Sequence, residues 1–144
     1  MLKRIYSMFS LTSSERDEIR HEINLFKAIE AHSAWKKRLH DYIAGSSGED
    51  LQPLQVGVDN LCELGKWIYG PGREHFEVEP LFRQLEEEHA QFHVQAARVV
   101  EAYQAGKGAL AEKLLAEDFT AQSRKTVNCL VKINVMVEGQ RAEE

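Results

Sequence analysis

The segment EEEHAQFH, residues 86–93, places two histidines, His89 and His93, four positions apart. On a helix, positions i and i+4 share a face with Cβ atoms roughly 5–6 Å apart, so two imidazoles can bind one ion. A zinc protease of the H-E-x-x-H type has a glutamate directly after the first histidine, as general base toward the metal-bound water. Ala90 holds that position here. The pair therefore leaves open a catalytic site, a closed site or no site, and lacks the residue that protease chemistry requires.

Two further candidate ligands lie upstream of this pair. His32 lies on the apolar stripe of a predicted helix, and Cys62 is followed one turn later by Gly65, where a neighbouring helix or an ion could approach closely. Imidazole nitrogen and thiolate sulfur are ligands that zinc prefers, and four of them complete a tetrahedral shell. Each residue taken alone is more often an ordinary core residue. Taken together the four favour a zinc site, although their spacing alone leaves the core interpretation open.

The elements that must position these residues are predicted to be helices. Apolar residues recur at spacings of three and four, and glycine or proline breaks separate the periodic segments. The predicted helices cover approximately residues 12–44, 53–69, 79–105 and 109–137. Short connections and the lack of an alternating strand pattern predict an all-α, antiparallel four-helix bundle with a short extra helical segment and the zinc site in its core. β-Branched residues between 127 and 137 leave a strand open there.

A chain of 144 residues has the length of one ordinary domain. We expect the bundle over residues 12–138, an N-terminal arm over 1–11 and a polar tail over 139–144. The arm carries apolar residues that could cover a groove or a second subunit, namely Ile5, Tyr6, Met8 and Phe9. The chain therefore predicts one bundle domain with short flanking segments.

Charge and hydropathy exclude several classes of function. The formal net charge of −5 argues against a nucleic-acid binder, which needs a basic surface. No apolar run is long enough to span a bilayer, and no signal peptide is evident, so we expect a cytoplasmic protein with reduced cysteines. Cys129 is predicted to be a core residue. Three other histidines lack ligand-like neighbours and are predicted to be at the surface or partly buried: His21, His40 and His75.

Three motifs surround the candidate ligands: H-x-x-W at 32–35, C-x-L-G-x-W at 62–67 and H-x-x-x-H at 89–93. In this order they resemble the signature of the chemoreceptor zinc-binding (CZB) domain family. The resemblance implies a four-helix bundle that binds one Zn(II) through three histidines and one cysteine. The implied metal ligands are His32, Cys62, His89 and His93. The other signature positions, which we expect to pack around the site, are Trp35, Gly65 and Trp67.

The resemblance also implies a function. Members of the family are associated with sensing zinc itself, or oxidants such as hypochlorous acid, through the zinc-bound cysteine, which makes Cys62 the redox-reactive residue. They are commonly attached to chemoreceptor signalling helices or to diguanylate cyclase domains, and neither follows in this sequence. We therefore expect a stand-alone regulatory domain that signals to such a partner, in bacterial chemotaxis or cyclic-di-GMP signalling. Attachment to dimeric proteins also makes a homodimer plausible.

Two alternatives remain open at this stage. A filled shell of four protein ligands could simply brace the bundle, since bound metal contributes folding free energy. A zinc hydrolase would use histidine ligands only, with Glu63 or Glu88 as base. We expect no enzyme, because hydrolysis would require one of the four candidate ligands to leave the shell and no substrate-binding motif is evident. Glu88 could instead orient a ligating imidazole.

Overall fold

The computed structural model describes residues 5–139, and every regular element within that range is helical. This confirms the predicted all-α class. Residues 127–137, whose β-branched side chains are also compatible with a strand, lie within a helix. No helix in residues 5–139 is long and apolar enough to cross a membrane. The predicted antiparallel arrangement of four helices stays a prediction.

The first predicted helix consists of two helices. The capping box is present at the start of α1 (Ser13–Glu22): Glu15 N–H donates to Thr12 Oγ1 at 3.1 Å, and Thr12 N–H donates to the Glu15 carboxylate at 2.9 Å. The chain is then extended at Ile23, and α2 (Leu25–Ile43) begins after Asn24, whose side chain accepts from Lys27 N–H at 3.0 Å. The prediction of one continuous helix is wrong because Asn24 caps a new helix.

The second predicted helix is also interrupted. It consists of α3 (Pro53–Gly57) and α4 (Glu63–Ile68), and residues 58–62 between them are not helical. Val58 and Leu61 in this non-helical stretch are exposed. Pro71 does not mark the end of a helix but occupies the first turn of α5 (Pro71–Phe76).

The third and fourth predicted helices agree closely with the structure. Helix α6 (Pro80–Gln104) packs against α2, α3 and the C-terminal helices. After a turn at Gly106, the chain forms α7 (Gly108–Leu114), a π-helical turn (Leu115–Phe119) and α8 (Thr120–Glu138). The residues along this region that face the core are buried, among them Leu115, Phe119, Thr126, Leu130, Ile133 and Val137. Helices α2 and α6 thereby form a rigid frame on which three of the candidate ligands lie.

The N-terminal arm packs on the same core. Tyr6 and Met8 are buried, whereas Ile5 and Phe9 are exposed. The Tyr6 amide donates to the carbonyl of His75 at 2.9 Å. The remainder of the predicted arm, residues 1–4, and residues 140–144 of the predicted tail lie outside the described residues. The arm therefore covers the surface of α5, and the domain boundaries remain predictions.

Candidate metal centre

Three helices bring the four predicted ligands together. His32 projects from α2, and His89 and His93 project from successive turns of α6. Cys62 is the residue that caps the N-terminus of α4, where its Sγ accepts from the Gly65 amide at 3.3 Å. One donor atom from each of the four lies within 4.8 Å of the other three, so the group could hold a metal ion.

The distances between donor atoms fit a tetrahedral zinc shell. Cys62 Sγ lies 3.3 Å from Nε2 of His89, 3.7 Å from Nε2 of His93 and 4.0 Å from Nε2 of His32. The Nε2 atom of His89 lies 3.2 Å from that of His32 and 3.1 Å from that of His93. Bond lengths for zinc imply separations of about 3.3 Å between two nitrogens and about 3.5 Å between nitrogen and sulfur. The donor set therefore fits Zn(II) in both chemistry and spacing.

Backbone carbonyl groups fix the orientation of two of the imidazoles. His32 Nδ1 donates to the Ala28 carbonyl at 2.7 Å, and His93 Nδ1 donates to the Val56 carbonyl at 2.9 Å. A ring nitrogen that faces a carbonyl must carry the proton, so Nε2 of each ring is left as the metal-binding atom. His89 Nδ1 is buried and has no hydrogen-bond partner among the described residues. The Val56 carbonyl is a contribution of α3 that sequence patterns do not reveal.

Burial keeps the three imidazoles neutral. It lowers the pKa of His89 to about 2, with smaller effects from the nearby His93 and His32. Burial also lowers the pKa of His32 and of His93, against the opposing effect of their carbonyl hydrogen bonds. The thiol of Cys62 has its pKa raised by burial, and the amide of Gly65 opposes this. The neutral imidazole is the form that binds a metal ion.

Cys62 is the most accessible of the four. It is half-buried, whereas the three histidines are buried. A cavity of about 480 Å³ is lined by Cys62 and His32, and a second one of about 270 Å³ is lined by Cys62 and His93. Cys62 therefore has open space on two sides.

The other three signature residues have different surroundings. Trp35 lines the smaller cavity beneath the Arg38 guanidinium, which lies 3.8 Å from its ring centroid. Trp67 is buried against Phe82, with ring centroids 5.8 Å apart. A Cβ added to Gly65 would lie 1.7 Å from the Asp59 carbonyl oxygen, so this position accommodates the chain's own loop rather than a neighbouring helix.

Several minor predictions need correction. His75 is buried rather than at the surface or partly buried, because Tyr6 stacks on its ring at a centroid distance of 4.3 Å. The Glu88 carboxylate orients none of the three imidazoles, whose Nδ1 atoms face carbonyl groups or have no partner among the described residues. The Glu63 side chain is 91% exposed and pairs with Lys66 at 3.7 Å. Cys129 is buried as predicted.

Comparison with known proteins agrees with this geometry. The pattern of the chemoreceptor zinc-binding domain (CZB) matches residues 32–100, a segment that contains all four candidate ligands. No curated protein and no solved structure matches the chain. CZB domains occur in signalling proteins and form a regulatory and sensory family rather than a known class of enzyme. The match to the chemoreceptor zinc-binding domain family covers residues 32–100, and within this segment the four candidate ligands form a group that could hold a metal ion.

Proposed function

We propose that the chain is a regulatory domain that detects oxidants through Cys62 and passes the change to a signalling partner. The observation that carries this proposal is that Cys62 is both a candidate ligand and accessible. Its sulfur belongs to the metal-binding group and the half-buried residue also lines two cavities, whereas the three histidines are buried. A purely structural ligand has no need of such access.

The four residues have separate roles in this proposal. His32, His89 and His93 hold one Zn(II) from buried positions on the long helices, and Cys62 completes the shell. Bound zinc keeps a coordinating thiol deprotonated at neutral pH, and the thiolate is the form that oxidants attack. Cys62 is thus both a ligand and the reactive group.

The chemical step is a two-electron oxidation of the Cys62 sulfur. With hypochlorous acid, the thiolate attacks the electrophilic reagent to give a sulfenic acid and chloride, so that sulfur loses two electrons and chlorine gains them. The sulfenic acid is a poorer ligand than the thiolate, and cellular thiols reduce it again with loss of water. The reaction is therefore reversible, as a signal requires.

The conformational response follows from the segment that carries Cys62. Helices α3 and α4 have five and six residues, and both contact the centre: α4 through Cys62 and α3 through the Val56 carbonyl. Helices this short depend on tertiary contacts for stability. Loss of the Cys62 ligand therefore shifts or frays residues 53–68, while α2 and α6 stay packed.

The resemblance to the CZB family also suggests a partner and a cellular setting for this domain. We infer a partner of the chemoreceptor or diguanylate cyclase type, a bacterial and cytoplasmic setting, and a homodimer. Light scattering of the purified protein measures the oligomeric state. A monomeric mass at micromolar concentration would contradict the homodimer and leave the metal chemistry unaffected.

Elemental analysis before and after oxidant treatment tests the sensor. We expect one equivalent of tightly bound zinc per chain, its release by equimolar hypochlorous acid, and its recovery after reduction. A Cys62→Ser variant should bind zinc much more weakly, whereas Cys129→Ala should behave as the wild type because Cys129 lies outside the metal-binding group. Tight zinc in Cys62→Ser would contradict the four-ligand site and favour ligation by histidine alone.

A structural brace is the second candidate, because four protein donors leave no open position in the shell. A third candidate function is the sensing of zinc availability, in which the loss and gain of the ion is the signal. The brace predicts that hypochlorous acid leaves zinc bound and hydrogen exchange over residues 53–68 unchanged. Reversible release of zinc with a change in hydrogen exchange confined to residues 53–68 would favour the sensor over the brace.

A further inference from the structure

A second group of metal-ligating side chains lies outside the centre described above. Glu18 and Glu22 come from α1 and His75 comes from α5, and one donor atom of each lies within 4.8 Å of the other two. We propose that these three residues form a second Zn(II) site, weaker than the first and filled after it. This inference does not depend on whether Cys62 is a sensor.

The backbone places the three donors on one side of α1. Glu18 and Glu22 are four residues apart and share a helix face, and His75 Nε2 lies 2.7 Å from Glu22 Oε2. The His75 side chain is only 6% exposed and that of Glu22 is 17% exposed. One imidazole and two carboxylates are ligands that zinc accepts, with a fourth position left to solvent.

Neighbouring side chains hold this group in position. The indole N–H of Trp67 donates to Glu22 Oε1 at 3.1 Å, which leaves Oε2 directed at His75. The Tyr6 hydroxyl donates to the Glu18 carboxylate, and its ring stacks on His75 with an interplanar angle of 6°. Residues around a metal site commonly orient the ligands through hydrogen bonds of this kind.

The charge of the group favours a cation. Carboxylates at i and i+4 on a helix repel each other, so a cation held between Glu18 and Glu22 would relieve that repulsion. Glu22 bonds to His75 and Trp67, and no lysine or arginine pairs with it within residues 5–139. A divalent ion that replaces the proton between His75 and Glu22 would place more positive charge beside both carboxylates.

A shared cavity is an independent reason to expect an ion here. The cavity of about 480 Å³ that reaches His32 and Cys62 is also lined by Glu22. An ion that enters or leaves the first centre by this route therefore passes a carboxylate of the second group. The second site lacks a thiolate and has fewer protein ligands, so its affinity for zinc should be lower.

Zinc titration of the full chain against a competing chromophoric chelator tests the proposal. We expect two equivalents for the wild type, with the second at least tenfold weaker. Glu18→Gln and Glu22→Gln should each keep the tight equivalent and weaken the second at least tenfold. Glu87→Gln, which removes the same charge from an exposed position on α6, should keep both. Cys62→Ser should lose the tight equivalent and retain the weaker one.

Cobalt substitution identifies the ligands of each equivalent. The first cobalt ion should give a thiolate-to-metal charge-transfer band, and the second should bind without adding to it. A single equivalent in the presence of excess zinc would overturn the proposal. It would equally fail if the second equivalent persisted at wild-type affinity in either glutamine variant that retains the tight equivalent, since binding would then be adventitious at surface residues. Retention of the tight equivalent in each variant shows that the chain has folded, and either glutamine variant that folds decides the question.

Discussion

The two halves of the metal centre are built differently. The histidines lie on helices of 19 and 25 residues, α2 and α6, which pack in the core. The cysteine lies on a segment whose helices have five and six residues and which contains a non-helical stretch at 58–62. Long packed helices therefore hold the histidines in place, whereas Cys62 lies at the start of a six-residue helix, which packs through Leu64, Trp67 and Ile68 but follows a non-helical stretch. We call residues 53–68 the cysteine side of the centre and helices α2 and α6 the histidine side. A change at the metal should alter the structure of the cysteine side more than that of the histidine side.

Removal of zinc should have the largest effect. Structural zinc contributes about 10–16 kcal/mol in small zinc-dependent peptides, so even part of that exceeds the effect of most substitutions. We expect a chelator to lower the melting temperature and to remove hydrogen-exchange protection over residues 53–68 more than over α6. Zinc added back serves as the control. An equal loss of protection in both segments would contradict the difference between the two halves.

Gly65→Ala should damage the cysteine side directly. The new Cβ would lie 1.7 Å from the Asp59 carbonyl oxygen and 2.7 Å from its carbonyl carbon, which are main-chain atoms. We expect destabilisation by about 3 kcal/mol, measured by denaturant unfolding, together with weaker zinc binding because the Cys62 cap is displaced. Gly48→Ala is the matched control, since its Cβ would meet no atom within 4 Å. Wild-type stability of Gly65→Ala would show that the 59–65 loop adjusts freely.

The two thiols should differ in reactivity once zinc has been removed. Cys62 is half-buried beside two cavities, whereas Cys129 is 2% exposed. Burial raises the pKa of the Cys129 thiol to about 11, so few molecules carry the reactive thiolate at neutral pH. We expect an alkylating reagent to modify Cys62 at least about tenfold faster, as mass spectrometry of the peptides would measure. Equal rates would indicate that α8 exposes the Cys129 thiol as readily as residues 53–68 expose the Cys62 thiol.

Asn24→Ala should have the smallest effect, because it acts on the histidine side. It removes the side-chain cap of α2, the helix that carries His32. Loss of an N-cap costs about 1 kcal/mol, and the long packed helix should keep its position. We expect a small decrease in the free energy of unfolding and unchanged zinc affinity in the chelator competition. A clear loss of zinc affinity would mean that α2 is less firmly held than its packing indicates.

The sequence predicted the histidine side better than the cysteine side for a physical reason. The apolar spacing along α6 extends over seven turns, so the periodic signal is strong and His89 and His93 fall on the buried face. Helices of five or six residues give no comparable signal, and their ends are set by single hydrogen bonds such as that from Gly65 N–H to Cys62 Sγ. Pro71 illustrates the ambiguity, since proline can follow one helix or begin the next.

The candidate ligands themselves were predicted because three motifs specify side chains. The contacts that orient them involve the carbonyl groups of Ala28 and Val56, and every residue has such a group. The burial of His75 was missed for a related reason: it results from Tyr6, which is distant in sequence and packs against it only in the folded chain. Sequence patterns therefore identify the donors, and tertiary structure supplies their orientation.

The hydrogen bonds that orient the donors have a consequence for the kinetics of metal capture. His32 Nδ1 bonds to the Ala28 carbonyl of its own helix, whereas His93 Nδ1 and Cys62 Sγ bond to groups of residues 53–68. The rotamer entropy of His32 is therefore lost when the chain folds, whereas part of that of His93 and Cys62 is lost only when the ion orders this segment. Zinc fingers must fold entirely around their ion, whereas capture here should require the ordering of one short segment beside an imidazole that is already oriented.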